Sequence, residues 1–199
     1  MPNANAATGL TPRRYRNGSP WMGAARTYFV PATDTTALYI GDPVVLVAGS
    51  DPTGHASVTR ATAGATNRIT GVVVGFRPSA PFANTPPTLA RPASTAGYVI
   101  VADDPELLFE VQESASTDGA ALTAAAMGKN VNLLAGTGGA AGSGFQIDST
   151  SSGTGATLQL RIVEGQRRVD NENGGKAYAK WLVSINLPTE TGAAGSLGV

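Results

Sequence analysis

There is no cysteine in this 199-residue chain, and there is a single histidine. Without thiols there is neither a disulfide framework nor thiolate chemistry, and one histidine excludes a His-rich metal site or a histidine-pair mechanism within one chain. Charge is scarce too: Asp, Glu, Lys and Arg make up 14% of the residues, against about 25% in an average soluble protein. Fourteen basic residues balance fourteen acidic ones. That neutrality argues against nucleic acid as the main partner, because counterion release needs Lys and Arg clustered on one face. Long apolar runs are also missing. Nothing approaches the ~20 apolar residues that span a bilayer, and residues 1–11 lack the apolar centre of a signal peptide. These absences predict a soluble protein made in a cytoplasm, with no membrane and no nucleic-acid partner, and a neutral balance that favours association.

What is plentiful is glycine and proline, 25 and 13 residues, the mark of a turn-rich chain. The neutral total hides a local imbalance. Before Asp34 the chain carries Arg13, Arg14, Arg16 and Arg26 and no acid, whereas residues 92–128 carry Asp103, Asp104, Glu106, Glu110, Glu113 and Asp118 and no base. Segregation of this kind suits a basic arm lying across an acidic face of a neighbouring subunit or scaffold. The alternative is that the arginines keep an exposed arm soluble while the acids line a strand edge.

Residues 1–26 have no hydrophobic period and read as an extended N-terminal arm. Yet they hold Leu10, Tyr15, Trp21 and Met22, large apolar groups that a solvated tail does not need. Such an arm either docks on a partner or folds its aromatics back on the chain's own barrel. Residues 27–187 read as a β-rich core. Short runs with strand character recur about every ten residues: 27–30, 37–40, 44–48, 57–59, 68–76 (R-I-T-G-V-V-V-G-F, with Gly71 and Gly75 as bulge or close-approach points), 97–102 and 107–113. In the last of these Leu107, Phe109 and Val111 define a buried face and Glu110 and Gln112 a wet one. Residues 79–94 form a proline-rich loop. One helix is predicted, over 118–127, with Asp118 near its N-cap and Gly128 beyond its end. Strands at 130–134, 145–148, 156–163 and 176–187 follow, and 188–199 is a flexible C-terminal tail. The fold class is therefore mainly β, a compact barrel or sandwich-like domain with one short helix and extended N- and C-terminal arms.

Catalytic patterns are weak. A Ser-His-Asp triad has to use His55, which falls at a predicted hairpin tip (49–55) without the packing that holds an imidazole in register. Asp103, Asp104 and Glu106 are better read as a turn around Pro105 than as a calcium or acid–base cluster. The Gly-rich stretch 136–144 lacks the spacing of a phosphate loop. Tyr98 and Trp181, the candidates for sugar stacking, sit in runs with core-like neighbours. No active site, cofactor or metal is expected.

The succession G-D-P-V-V-L (41–46), T-R-A-T-A-G (59–64), I-T-G-V-V-V-G-F (69–76), R-P-A-S-T-A-G-Y-V-I-V-A-D-D-P (91–105) and F-E-V-Q-E (109–113) resembles tailed-bacteriophage head structural proteins. G-K-N-V-N-L (128–133), the run at 157–163 and A-K-W-L-V-S-I-N (179–186) continue the likeness over nearly the whole chain. In this respect the chain is similar to capsid cement or decoration proteins. The resemblance implies a non-enzymatic virion protein on the capsid exterior, made in the host cytoplasm. It further implies a homotrimer at threefold or quasi-threefold positions that clamps the HK97-type major capsid protein. On that view Arg13, Arg14, Tyr15, Arg16, Trp21 and Arg26 contact the capsid or a neighbouring subunit, and Asp103, Asp104, Glu106, Glu110 and Glu113 form the complementary acidic patch. Tail-tube, head-completion and carbohydrate-binding surface adhesin components are the alternatives within the virion.

Overall fold

A computed structural model describes residues 3–77 and 89–189. Its strands, in chain order, are β1 (Thr11–Tyr15), β2 (Arg26–Val30), β3 (Leu38–Tyr39), β4 (Pro43–Ser50), β5 (Ala56–Arg60), β6 (Gly71–Arg77) and β7 (Ala90–Arg91), then β8 (Gly97–Ala102), β9 (Leu107–Gln112), β10 (Asn130–Val131), β11 (Leu133–Leu134), β12 (Gln146–Ile147), β13 (Leu160–Gly165) and β14 (Lys180–Ile185). The protein is mainly β, as its sequence predicts.

Two bodies hold ten of these strands, and β3–β7 and β11–β12 form separate two-stranded pairs. β2, β5, β4, β6 and β8 close into a small barrel in that order. Their inward side chains, Tyr28, Val30, Val44, Val58, Val73, Val99 and Val101 with Leu38, make a tight β-branched core. Gly71 and Gly75 behave as their sequence context suggests. A Cβ on Gly71 would lie 2.5 Å from the Ala102 carbonyl oxygen, and the β6–β8 register slips between Val73 and Gly75. The second body is a five-stranded antiparallel sheet, β1-β9-β14-β13-β10. Its inner face carries Leu107, Phe109, Val111, Ile162, Trp181 and Val183, which pack with Ala61, Ile69, Val72 and Ala102 of the barrel side. Barrel and sheet are thus sealed by one continuous apolar cluster.

The mouth of the barrel near β3 and β7 is closed by a buried cation. The Arg91 guanidinium donates to the carbonyls of Thr95 (2.6 Å), Thr36 (2.8 Å), Pro31 (2.8 Å) and Asp34 (3.0 Å). The Asp34 carboxylate stands 3.9 Å away. Burial disfavours the charge of Arg91, and Asp34 works against that effect.

At the opposite tip, the β4–β5 hairpin is folded onto Tyr98. Asp51 accepts from the Tyr98 hydroxyl (2.6 Å), the Thr53 hydroxyl and the His55 backbone N–H (2.6 Å). Tyr98 is therefore a half-buried clamp and not a core residue, whereas Trp181 is fully buried. Burial pushes the Asp51 carboxyl up, but the bonds from Thr53, Tyr98 and His55 outweigh it and hold it below the usual carboxylate range. Its bond raises the Tyr98 phenol above its ordinary value. For a phenol raised in the fold, the stabilising contribution is complete below about pH 10, the unfolded value, and disappears as pH rises through the folded one. Difference titration of the unaltered chain against Tyr98→Phe should show Tyr98 ionising above the ordinary phenol value of about 10, and Asp51→Asn should bring it down. A Tyr98 that titrates normally would contradict the clamp.

Three sequence expectations are corrected. Residues 118–127 are helical only as two 3-10 turns, Asp118–Ala120 and Ala124–Ala126. Tertiary partners break the continuity: the Leu122 N–H donates to Glu113 Oε2 (2.7 Å), and its carbonyl accepts from Gly175. The Asp118 carboxylate serves Ala177 N–H and Lys176 instead of capping. Second, residues 3–25 are not a free arm. β1 pairs with β9, Leu10 is buried in the main cluster, and Tyr15 and Trp21 pack against it. The crossing is close: Gly9 and Gly41 both have positive φ, and a Cβ on Gly9 would stand 2.3 Å from the Gly41 carbonyl oxygen. Third, the face of β9 expected to be wet is covered, because Gln112 bonds Ala6 and Asn5 of this same segment. The loop expected at 79–94 lies outside the described residues as far as 88, with β7 in the remainder. Of the tail 188–199 only Pro188 and Thr189 are described, and both are tied to the barrel side, at Ile69 and Thr70.

Candidate interaction surface

The basic and acidic segments do meet, inside one chain. Arg13 pairs with Glu110 (3.2 Å), Arg14 with Glu164, Arg16 with Glu106 (3.7 Å) and Arg26 with Asp103 (3.2 Å). Glu110 also takes Arg168 (2.9 Å), and Arg16 donates to the Ser184 hydroxyl. β1 lies beside β9, so its arginines project over the outer face of the sheet where these acids stand. Trp21 turns its indole N–H onto the Ala24 carbonyl (3.0 Å). Complementarity read as contact between subunits is thereby satisfied at home.

The acids do not form one exposed patch. Asp104 shapes its own turn by accepting the Glu106 N–H, and Asp103 takes the Tyr28 hydroxyl (2.6 Å) as well as Arg26. Glu110 and Glu113 are buried. Glu113 is fully enclosed and accepts from Trp181 Nε1 (3.2 Å), Leu122 N–H and Ser149 Oγ (3.0 Å). Burial raises its carboxyl above the ordinary value, and those bonds only partly offset it. A polar residue at the end of an alternating run gave no sign of this. Its partners are scattered along the chain, at residues 122, 149 and 181, the last two 36 and 68 positions away.

His55 offers no relay. Its Nδ1 faces both Thr53 (3.0 Å) and Asp51 (3.4 Å), whereas a triad needs the nucleophile and the carboxylate on opposite ring nitrogens. Among the described residues no group of three His, Asp or Glu is placed to hold a metal ion, and no helix is long and apolar enough to cross a membrane.

A surface of a different kind runs along β13. Val169 is 97% exposed, and Met127 and Val163 are each about 40% exposed. Two open hollows are lined by its residues. One, of about 920 Å³, includes Met127, Arg167, Val169 and Gly165 in its lining. The other, of about 500 Å³, is lined by Arg14, Arg16, Arg161 and Val163 among others. Arg161 and Arg167 have no acid partner among the described residues, and Arg14 Nε is buried without a hydrogen-bond partner. On its outer edge β13 pairs with β10 at Leu160 and Arg161, and Ile162 exchanges backbone bonds with Gly128 (3.0 Å) and Lys129 (2.9 Å) just before β10. Of these residues the sequence singles out Arg14 and Arg16, as arm arginines, and Met127 and Val163 only as the last residues of predicted elements. The available signal was Val169 standing in R-R-V-D-N-E-N, an apolar residue inside a polar turn.

No protein-family model, curated protein or solved structure matches this chain.

Proposed function

We propose that this protein is a virion structural component, a cement or decoration protein. It would bind the outer surface of an HK97-type head at threefold or quasi-threefold positions as a homotrimer and stabilise the shell by bridging neighbouring capsid subunits. The observation that carries the reading is the strip along β13, where exposed apolar side chains stand beside arginines lacking acids of their own. Apolar groups flanked by arginine are what a protein contact uses. A trimer multiplies a modest contact through effective concentration. The sequence likeness to phage head proteins supports the same reading.

The N-terminal segment has a different part here from the free clamp its sequence suggests. Its charges are neutralised within the chain and it completes the sheet, so clamping falls to the body of the protein. Deleting residues 1–26 would remove a strand along with any contact, which makes it a poor test. The direct test is to add the full chain to heads lacking it, purified from a phage that encodes it, and image them. Density at threefold positions, with a raised head melting temperature, is the expected result. No binding, or a ring of six or twelve copies at a vertex or in the tail, would overturn the reading, the ring in favour of a head-completion or tail-tube part.

A further inference from the structure

We infer that the smaller hollow, over the outer face of the sheet, is a binding site for a single carboxylate on a short aliphatic stem. The inference goes beyond the proposed function and does not depend on it, because the chemistry belongs to the chain alone.

The register of the sheet builds the site. Arg14 on β1 stands opposite Leu108 on β9, Leu108 opposite Ser184 on β14, and Ser184 opposite Arg161 on β13. Residues paired across strands send their side chains to one face, so this row crosses the outer face with an arginine at each end. Three strand spacings, about 14 Å, separate those ends. Leu108 and Ser184 between them are buried, and two arginines reach over them from the β1 side. Arg14 extends as far as Glu164 on β13, and Arg16, just past β1, sets its guanidinium on the Ser184 hydroxyl (2.9 Å). The hollow so formed, about 500 Å³, is lined by Arg14, Arg16, Arg161, Leu108 and Val163 among others, and by no Asp or Glu among the described residues.

Charge selects the ligand class. Three guanidiniums are set against two acids: Glu164 at Arg14, and Glu106 at 3.7 Å from Arg16. Both acids are more than half exposed, which makes them weak counter-ions. Glu164 engages a terminal nitrogen of Arg14, whose Nε is buried without a partner. Arg161 has no acid partner among the described residues. The surplus is one positive charge. A carboxylate cancels it, and its two oxygens match a planar guanidinium fork. A phosphate monoester carries about −1.5 to −2 at neutral pH and would leave the hollow negative. Val163, 40% exposed in the lining, gives the stem an apolar neighbour.

The test is a titration of the full chain with propionate against chloride at constant ionic strength, followed by the nitrogen–proton resonances of the arginine Nε groups. Propionate should shift the Arg16 and Arg161 signals saturably. Arg161→Gln alters an exposed side chain without a described partner and should weaken binding at least about tenfold, the loss of a charge-assisted hydrogen bond. Arg161→Lys keeps the charge without the fork and should recover part of it. Arg167→Gln removes an arginine from the larger hollow, and binding should stay within about twofold, the range of a distant charge. Inorganic phosphate should bind more weakly than propionate. No saturable shift, equal effects of Arg161→Gln and Arg167→Gln, or tighter binding of phosphate would overturn the inference. Heads then separate the source: propionate that releases the bound chain assigns the carboxylate to an acidic side chain of the shell, and propionate that binds without releasing it assigns a free carboxylic acid. Failure of the chain to bind heads would overturn the proposed function and leave the carboxylate site standing.

Discussion

Replacing Trp181 by alanine is expected to cost about 3–5 kcal/mol, the range for deleting a fully buried indole. In a chain of this size that is a fall in melting temperature of order 10 °C. The indole is fully buried at the centre of the inner face of the sheet, opposite Val111 on β9 and Gly165 on β13. It belongs to the cluster joining sheet to barrel, so the cavity opens at the seam of the two bodies. A second loss accompanies the first. Trp181 Nε1 donates to Glu113, a carboxyl buried without a cation, and removing that donor leaves the group held only by Leu122 and Ser149. Trp181→Phe separates the two effects by keeping most of the ring and losing the N–H, and it should fall between wild type and alanine. Thermal and urea melts measure both. An alanine variant within about 1 kcal/mol of wild type would show that the seam is not where stability resides.

The second large effect belongs to Arg91. Its guanidinium serves four carbonyls, at residues 31, 34, 36 and 95, with the Asp34 carboxylate close by. Arg91→Met keeps the length and apolar stem but strands these acceptors together with a nearly buried carboxylate. The expected loss is about 3–5 kcal/mol, as for removing one member of a buried charged pair. Lysine should recover little, because a single ammonium cannot reproduce a planar fork serving four acceptors. Hydrogen exchange gives the sharper readout: amides of residues 31–39 and 90–97 should lose protection first, because Arg91 ties those stretches together. Equal protection and equal melting in Arg91→Met would remove the arginine from the account of how the barrel mouth is closed.

Much of the barrel was legible in the sequence. V-V-L-V at 44–47, G-V-V-V-G-F at 71–76 and G-Y-V-I-V-A at 97–102 are runs that can only bury themselves as strands, and the turns between them carry their own Gly, Asp and Pro signals. What escaped depends on partners remote in sequence. The segment 118–127 has strong helix formers, yet bonds from Glu113 and Gly175 to one residue, Leu122, divide it. The N-terminal residues have no period because they are fixed by isolated contacts, Leu10 at the Gly41 crossing and arginines on acids about a hundred residues away. For the surface, charge segregation correctly indicated that basic and acidic segments belong together, but composition cannot tell one chain from two. The strip on β13 escaped because exposure, unlike periodicity, leaves little trace in a single sequence, here only Val169 in its polar turn.

The order of strands in the sheet bears on how the chain is made. The five barrel strands all fall between Arg26 and Ala102, so they have all been made while β9, β10, β13 and β14 of the sheet are still to come. The sheet follows the opposite plan. Only β13 and β14 are consecutive in both chain and sheet, while β1, made before any barrel strand, borders β9, made after all of them, and β9's other neighbour is β14. Pairings of that sequence separation form slowly. Residues 11–15 therefore wait for their place until β9 at 107–112 has been made, with the exchange of this strand between nascent copies open for the whole of that interval.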